Sequence, residues 1–185
     1  IETNALTMQA AASIDSSTSS TDTINPGGDG GTITIQTEIL DMKGADTLIN
    51  TSSSGNGGAG GDIALRSQSL VILDNAGIKA LTESKGSAGN IDIQNAKSLQ
   101  LDQATVSVES KAQGNAGNIN IGTNALTMQA AASIDSSTSS TEIINPGGDG
   151  GTITIQTGIL DMAGDNTTIN TSSSGNGGNG GDIKL

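Results

Sequence analysis

Nineteen carboxylates stand against six lysines and one arginine in this chain, and histidine, cysteine, tyrosine, tryptophan and phenylalanine are all absent. Acid–base chemistry would therefore fall to Asp, Glu or Lys, because the side chain that titrates nearest neutrality is missing. The basic residues are Arg66 and the lysines at 43, 79, 85, 97, 111 and 184. Polysaccharide lyases and hydrolases need clustered carboxylates, with or without a converging base. Here acids such as Asp74 and Asp102 recur singly at corner or surface positions, which reads as solvated faces that keep a β-rich polymer soluble. No catalytic residue is assigned, and the chain is not expected to be an enzyme.

The stretch Gly57-Gly58-Ala59-Gly60-Gly61-Asp62-Ile63-Ala64-Leu65 invites comparison with the calcium-binding nonapeptide of parallel β-rolls. That motif needs a large aliphatic where this chain has Ala64 and, in a second copy, Lys184, and it needs tandem nonapeptides, which are absent. No metal, cofactor or cofactor-binding residue is assigned. Thr32-x-Thr34 and Thr152-x-Thr154 suggest an ice-binding face, but Asp62, Ala64, Asn90, Asp92, Asn118 and Asn120 interrupt it. The runs Ser16-Ser17-Thr18-Ser19-Ser20 and Ser52-Ser53-Ser54 are expected as exposed strand and corner residues. Asn50-Thr51-Ser52, Asn166-Thr167-Thr168 and Asn170-Thr171-Ser172 fit the glycosylation acceptor pattern, a weak signal at three residues.

These residues are positioned by a repeat. Gly117-Asn118-Ile119-Asn120-Ile121 has counterparts beginning at Gly31, Gly61, Gly89, Gly151 and Gly181, spaced 30, 28, 28, 34 and 30 residues apart. Periods of that size mean stacked repeat architectures. The turns run 1–30, 31–60, 61–88, 89–116, 117–150 and 151–180, with 181–185 opening another, and all of 1–185 reads as one repeat segment. A longer repeat lies over the first: residues 1–65 and 121–185 align without gaps at an offset of 120, with ten differences. Positions that drift between the copies should mostly face water.

Three strands per turn are expected: the beat strand, a second such as Ile39-Leu40-Asp41-Met42, and a third such as Thr47-Leu48-Ile49-Asn50-Thr51. Alternation places Ile33, Ile35, Leu40, Met42 and Ile49 inside, and Leu48 outside because its counterpart is Thr168. Asn25-Pro26-Gly27-Gly28 reads as a turn. A parallel β-helix follows, with about six turns spanning roughly 29 Å at about 4.8 Å per turn. Asn90 over Asn118 reads equally as an amide ladder along the axis or as residues that simply suit a corner.

Leu, Ile and Val make up 20% of the chain, at the boundary where disorder begins, but their fixed spacing argues for a folded stack with a narrow aliphatic core. The net charge of −12 disfavours nucleic acid and anionic membrane as partners. No apolar run reaches the roughly 18 residues of a membrane span, and no signal peptide opens the sequence. The chain starts and stops in mid-pattern, as a piece of something longer would.

Ser98-Leu99-Gln100-Leu101-Asp102-Gln103-Ala104, together with the run Glu109-Ser110-Lys111-Ala112-Gln113-Gly114-Asn115-Ala116-Gly117-Asn118-Ile119-Asn120-Ile121, resembles filamentous haemagglutinin-type repeats of bacterial two-partner-secretion exoproteins. The resemblance covers all six turns. It implies a right-handed parallel β-helix, export through an outer-membrane pore, and a secreted, extracellular or cell-surface life on a Gram-negative bacterium, cyanobacteria included. The function it implies is a structural and adhesive fibre that contacts itself and cell-surface or glycan receptors. A polysaccharide-binding or polysaccharide-cleaving β-helix and the inert stalk of a contact-dependent toxin are the alternatives. The matching repeats are scaffold, so no site residue carries over.

Overall fold

Alternating aliphatics fold this chain into a β-solenoid. In a computed structural model, which describes residues 1–20, 22, 27–55, 58–83, 85–140, 147–175 and 178–185, sixteen strands coil in parallel. In chain order they are β1 (Glu2–Gln9), β2 (Ser13–Asp15), β3 (Thr18–Ser20), β4 (Ile33–Lys43), β5 (Leu48–Asn50), β6 (Ser53–Gly55), β7 (Ile63–Leu73) and β8 (Gly77–Lys79). There follow β9 (Ile91–Asp102), β10 (Thr105–Ser110), β11 (Ile119–Gln129), β12 (Ser133–Ser140), β13 (Ile153–Ala163), β14 (Thr168–Asn170), β15 (Ser173–Gly175) and β16 (Ile183–Lys184). The described residues contain no helix. The proposed turn at Asn25-Pro26 lies outside them.

One sheet stacks β1, β4, β7, β9, β11, β13 and β16; a second stacks β2, β5, β8, β10, β12 and β14, with β15 also on β12; β3 pairs β6 alone. Register puts like on like. Ile33, Ile63, Ile91, Ile119, Ile153 and Ile183 form one column. Leu6, Leu40, Leu70, Leu99, Leu126 and Leu160 form another. On the second sheet Ile14, Ile49, Ile78, Val106, Ile134 and Ile169 face them. These columns are the core, and Ile35, Leu40, Met42 and Ile49 are fully buried within it. Leu48 takes the outer side, half-covered against Gly77 of the next turn.

Three strands per turn is the expected number, but they divide differently. The beat strand and the second expected strand are one continuous strand of 11 residues in β4, β7, β11 and β13. The third strand is the serine segment that sequence placed at the corner, β6 with its equivalents. The long strand stays continuous because its inward side slips phase by one residue: inward positions run 33, 35, 37 and then 40, 42. Thr37 Oγ1 donates to the Ile39 carbonyl at the slip (2.9 Å), and Thr123 and Thr157 make the same bond to Ala125 and Ile159 (3.2 and 2.7 Å). In β4, β11 and β13 the change of phase therefore falls at a threonine hydroxyl.

The serine runs are not the exposed residues expected. They alternate, and in the second copy Ser136, Thr138 and Ser140 are buried while Ser137 and Ser139 face outward. The inner hydroxyls find partners in the glycine-rich corner: Thr138 Oγ1 donates to the Gly148 carbonyl at 2.8 Å and Ser136 Oγ to the Gly117 carbonyl at 2.6 Å. Burying a hydroxyl is tolerable because it is bonded. Thr171 does the same to Gly181 at 2.9 Å, so the polar inner column is a lining between aliphatic core and glycine corner.

That corner carries two glycine columns three residues apart. A Cβ on Gly117 would sit 1.9 Å from the Gly89 carbonyl oxygen, and one on Gly114 would sit 1.9 Å from that of Gly86. The glycines thus serve close approach of successive turns more than any unusual φ.

Candidate functional site

Where the long strands change phase, a groove of about 1030 Å³ crosses the large sheet along the solenoid axis. Register supplies one rung per turn. The outer rim of the groove stacks Glu2, Gln36, Arg66, Gln94, Gly122 and Gln156, and its floor holds Thr3, Thr37, Ser67, Asn95 and Thr123. From the first turn to the sixth, five steps of about 4.8 Å give a length near 24 Å. Every lining residue is polar or glycine, and the charged ones are Glu2, Glu38 and Arg66. A second, smaller hollow of about 250 Å³ shares Gln94 and Gln156 with it and adds Asp92, Asn120, Ile121 and Thr154.

The fourth turn breaks the pattern at the centre of the groove. β9 has 12 residues where its neighbours have 11, and the pairing slips between Ser67 and Ser69 on one side and between Gly122 and Ala125 on the other. This is a β-bulge, a device that re-aims side chains and is frequent beside functional sites. At the bulge, Asn95 occupies the floor position that the hydroxyl residues Ser67 and Thr123 fill in the adjacent turns. It is only 4% exposed, and Ser67 Oγ donates to its side-chain oxygen. Its amide nitrogen has no hydrogen-bond partner among the described residues. An unpaired buried donor of this kind costs on the order of 1–3 kcal/mol, so a cost is carried where the neighbouring threonine carries none.

Around Asn95 the outer side chains lean on one another. Gln94 Nε2 donates to Asp92 Oδ1 at 2.8 Å, and the Gln94 side chain lies over Gly122, where a Cβ would come within 2.4 Å of its oxygen. Arg66 approaches Asp92 at 3.9 Å but remains 60% exposed at its side chain. An exposed pair at that distance holds the guanidinium weakly, which leaves its donors available to the groove.

The acids that sequence compared with a calcium motif are engaged elsewhere. Asp62 Oδ1 accepts the Asn90 backbone N–H at 2.7 Å and its side-chain amide at 3.0 Å. Asn90 Oδ1 accepts the Asn118 N–H, and Asn118 Oδ1 the Thr152 N–H, both at 2.9 Å. The ladder of Asn90 over Asn118 therefore exists, but it bonds side chain to backbone and not amide to amide. A second ladder three residues earlier joins Asp29 to Ala59, Asn115 to Asp149 and Asp149 to Asn179, at 2.8, 2.9 and 2.7 Å. Among the described residues no three of Asp and Glu gather as a metal would require. Asp74 sits at a left-handed corner and pairs with Lys43 at 3.4 Å, both largely exposed. Of the acceptor-pattern asparagines, Asn50 is tied to Ser17 and Ser52, whereas Asn166 stands exposed at a left-handed turn.

The groove escaped the sequence reading, although its signal was present. Gln36-Thr37, Arg66-Ser67, Gln94-Asn95 and Gln156-Thr157 follow each beat strand at one offset, and the parity of the aliphatics changes just after them. No protein-family model matches this chain, and neither a curated protein nor a solved structure is significantly similar to it. No helix among the described residues is long and apolar enough to cross a membrane.

Proposed function

We propose that this chain is a rod segment of a secreted adhesive fibre, exported by a Gram-negative bacterium through an outer-membrane pore and displayed at or beyond the cell surface. The observation that carries the reading is the parallel ladder of the seven-stranded sheet: every turn bonds to the next along one axis, with a 120-residue unit returning in the same register. A structure of this kind lengthens by adding turns, and its stability comes from neighbour contacts and needs no closed core. Its outward positions are mostly polar and repeat, with Ile39 and Ile159 as exposed apolar exceptions, which suits many weak contacts with a surface. The resemblance to filamentous haemagglutinin-type repeats supports the same reading. Imaging of the native material tests it: a continuous rod with an axial repeat near 19 Å, four turns of about 4.8 Å, is expected, and discrete compact particles would refute it. The polar groove favours a second reading, a polysaccharide-binding surface on that rod.

A further inference from the structure

We infer that the axial groove binds an extended, neutral polyhydroxylated chain, a glycan without acidic groups, centred on the bulge at Asn95. The inference rests on the adhesive reading for its biology, while its chemistry stands on the groove alone. Backbone donors and acceptors of the groove strands are consumed by pairing along the axis, so a peptide strand has no ladder to join there. What the groove offers is side chains, and these are amides, hydroxyls, one guanidinium and two carboxylates. Such groups both donate and accept, as sugar hydroxyls do. The net charge of −12 on the chain, with Glu2 and Glu38 in the groove itself, repels an acidic glycan. One rung about every 4.8 Å lets a linear polymer meet equivalent groups turn after turn.

Asn95 marks the place of strongest engagement. Whichever way its amide is turned, one polar end bonds Ser67 and the other lacks a partner beneath the groove floor. Because that end is sealed beneath the floor, a sugar hydroxyl seated over the bulge, flanked by Gln94 and Arg66, gains it as a partner when the Asn95 side chain turns up into the groove. The bulge and the unpartnered amide coincide with the groove, and neither is needed for stacking, since the other turns stack without them.

The test uses neutral hexasaccharides of glucose and xylose in calorimetric titration, with oligogalacturonate as the acidic comparison, against the whole chain and three variants. Asn95→Thr installs the floor residue found at Thr37 and Thr123, so it should fold at least as well as the parent. It should lose roughly tenfold in affinity, the value of about one hydrogen bond to a sugar. Arg66→Ala and Gln94→Ala should weaken binding by a similar factor, whereas Lys79→Ala, on the second sheet, should leave it unchanged. Absence of binding to every neutral oligomer overturns the inference, as does binding that all three groove substitutions leave intact, or a preference for oligogalacturonate. None of these results bears on the axial repeat seen by imaging, so failure of the groove and failure of the fibre are read separately.

Discussion

The octet Ser-Ile-Asp-Ser-Ser-Thr-Ser-Ser occurs twice, at 13–20 and at 133–140, and the same eight residues fold differently. In the second copy they form one strand of 8 residues, β12, with Ile134, Ser136, Thr138 and Ser140 all buried. In the first they break into β2 and β3, of 3 residues each, and the equivalent inward side chains are half-exposed. The neighbours differ where the sequence does not. β12 lies between β10 on one side and β14 with β15 on the other, whereas among the described residues β2 and β3 pair only with β5 and β6. Strand length and burial in this solenoid are thus conferred by the turns above and below, in line with a nearest-neighbour account of repeat stability.

The sharpest way to break that comparison is to truncate the same isoleucine in both copies. Ile134 is fully buried between Val106 and Ile169, so Ile134→Ala should cost about 2–5 kcal/mol. Ile14 pairs only with Ile49 and is half-exposed, so Ile14→Ala should cost less than half as much. Urea midpoints combined with amide exchange of the affected turn measure both, and equal costs would show that local sequence, not stacking, sets the energetics.

A smaller difference is expected at the beat glycine. A Cβ on Gly151 would meet the Gly117 carbonyl oxygen at 1.9 Å, and backbone cannot yield cheaply. On Gly31 the nearest atom is Ser16 Oγ at 2.3 Å, a side chain free to rotate, with backbone no nearer than 3.8 Å. Gly151→Ala should therefore destabilise by about 1–3 kcal/mol or more, and Gly31→Ala by a few tenths once the lost glycine entropy is counted. Thermal unfolding of the two variants decides it; an equal fall in midpoint would deny the close-approach role assigned to the glycine column.

The contrast also explains what could be read before folding. Period, parallel stacking and the inward aliphatics were legible because each depends on residues repeated at every turn, as with Ile33 over Ile63 or Ile49 over Ile78. The fusion of the beat strand with Ile39–Met42 was harder to see, since a parity change between Ile35 and Leu40 looks like a loop until a hydroxyl such as Thr37 is found bridging it. The serine runs were misplaced because polar composition argues for exposure, and only the stacked structure reveals the glycine carbonyls that receive their protons. Asn95 was illegible for a different reason. One added residue in the fourth turn shifts nothing in the aliphatic pattern except the spacing from Ile93 to Leu99, and the unpartnered amide is a product of packing.

The smallest expected difference concerns the side-chain ladders. Each rung is an acceptor on one turn and a backbone donor on the next, so its bond exists only where a turn follows. Asp62 accepts two bonds from Asn90, whereas its copy Asp182 is 73% exposed at its side chain and its nearest charged partner is Lys184 at 3.8 Å. Asp62→Ala should cost about 0.5–1.5 kcal/mol, and Asp182→Ala should stay within a few tenths, as exposed pairs usually do. Asp62→Asn keeps the acceptor and should recover most of the loss, which separates the bond from the charge. Raising the salt concentration offers an independent check: a cost that disappears in salt would be electrostatic and would remove the ladder as its source, while a cost that persists assigns it to the hydrogen bonds that tie one turn to the next.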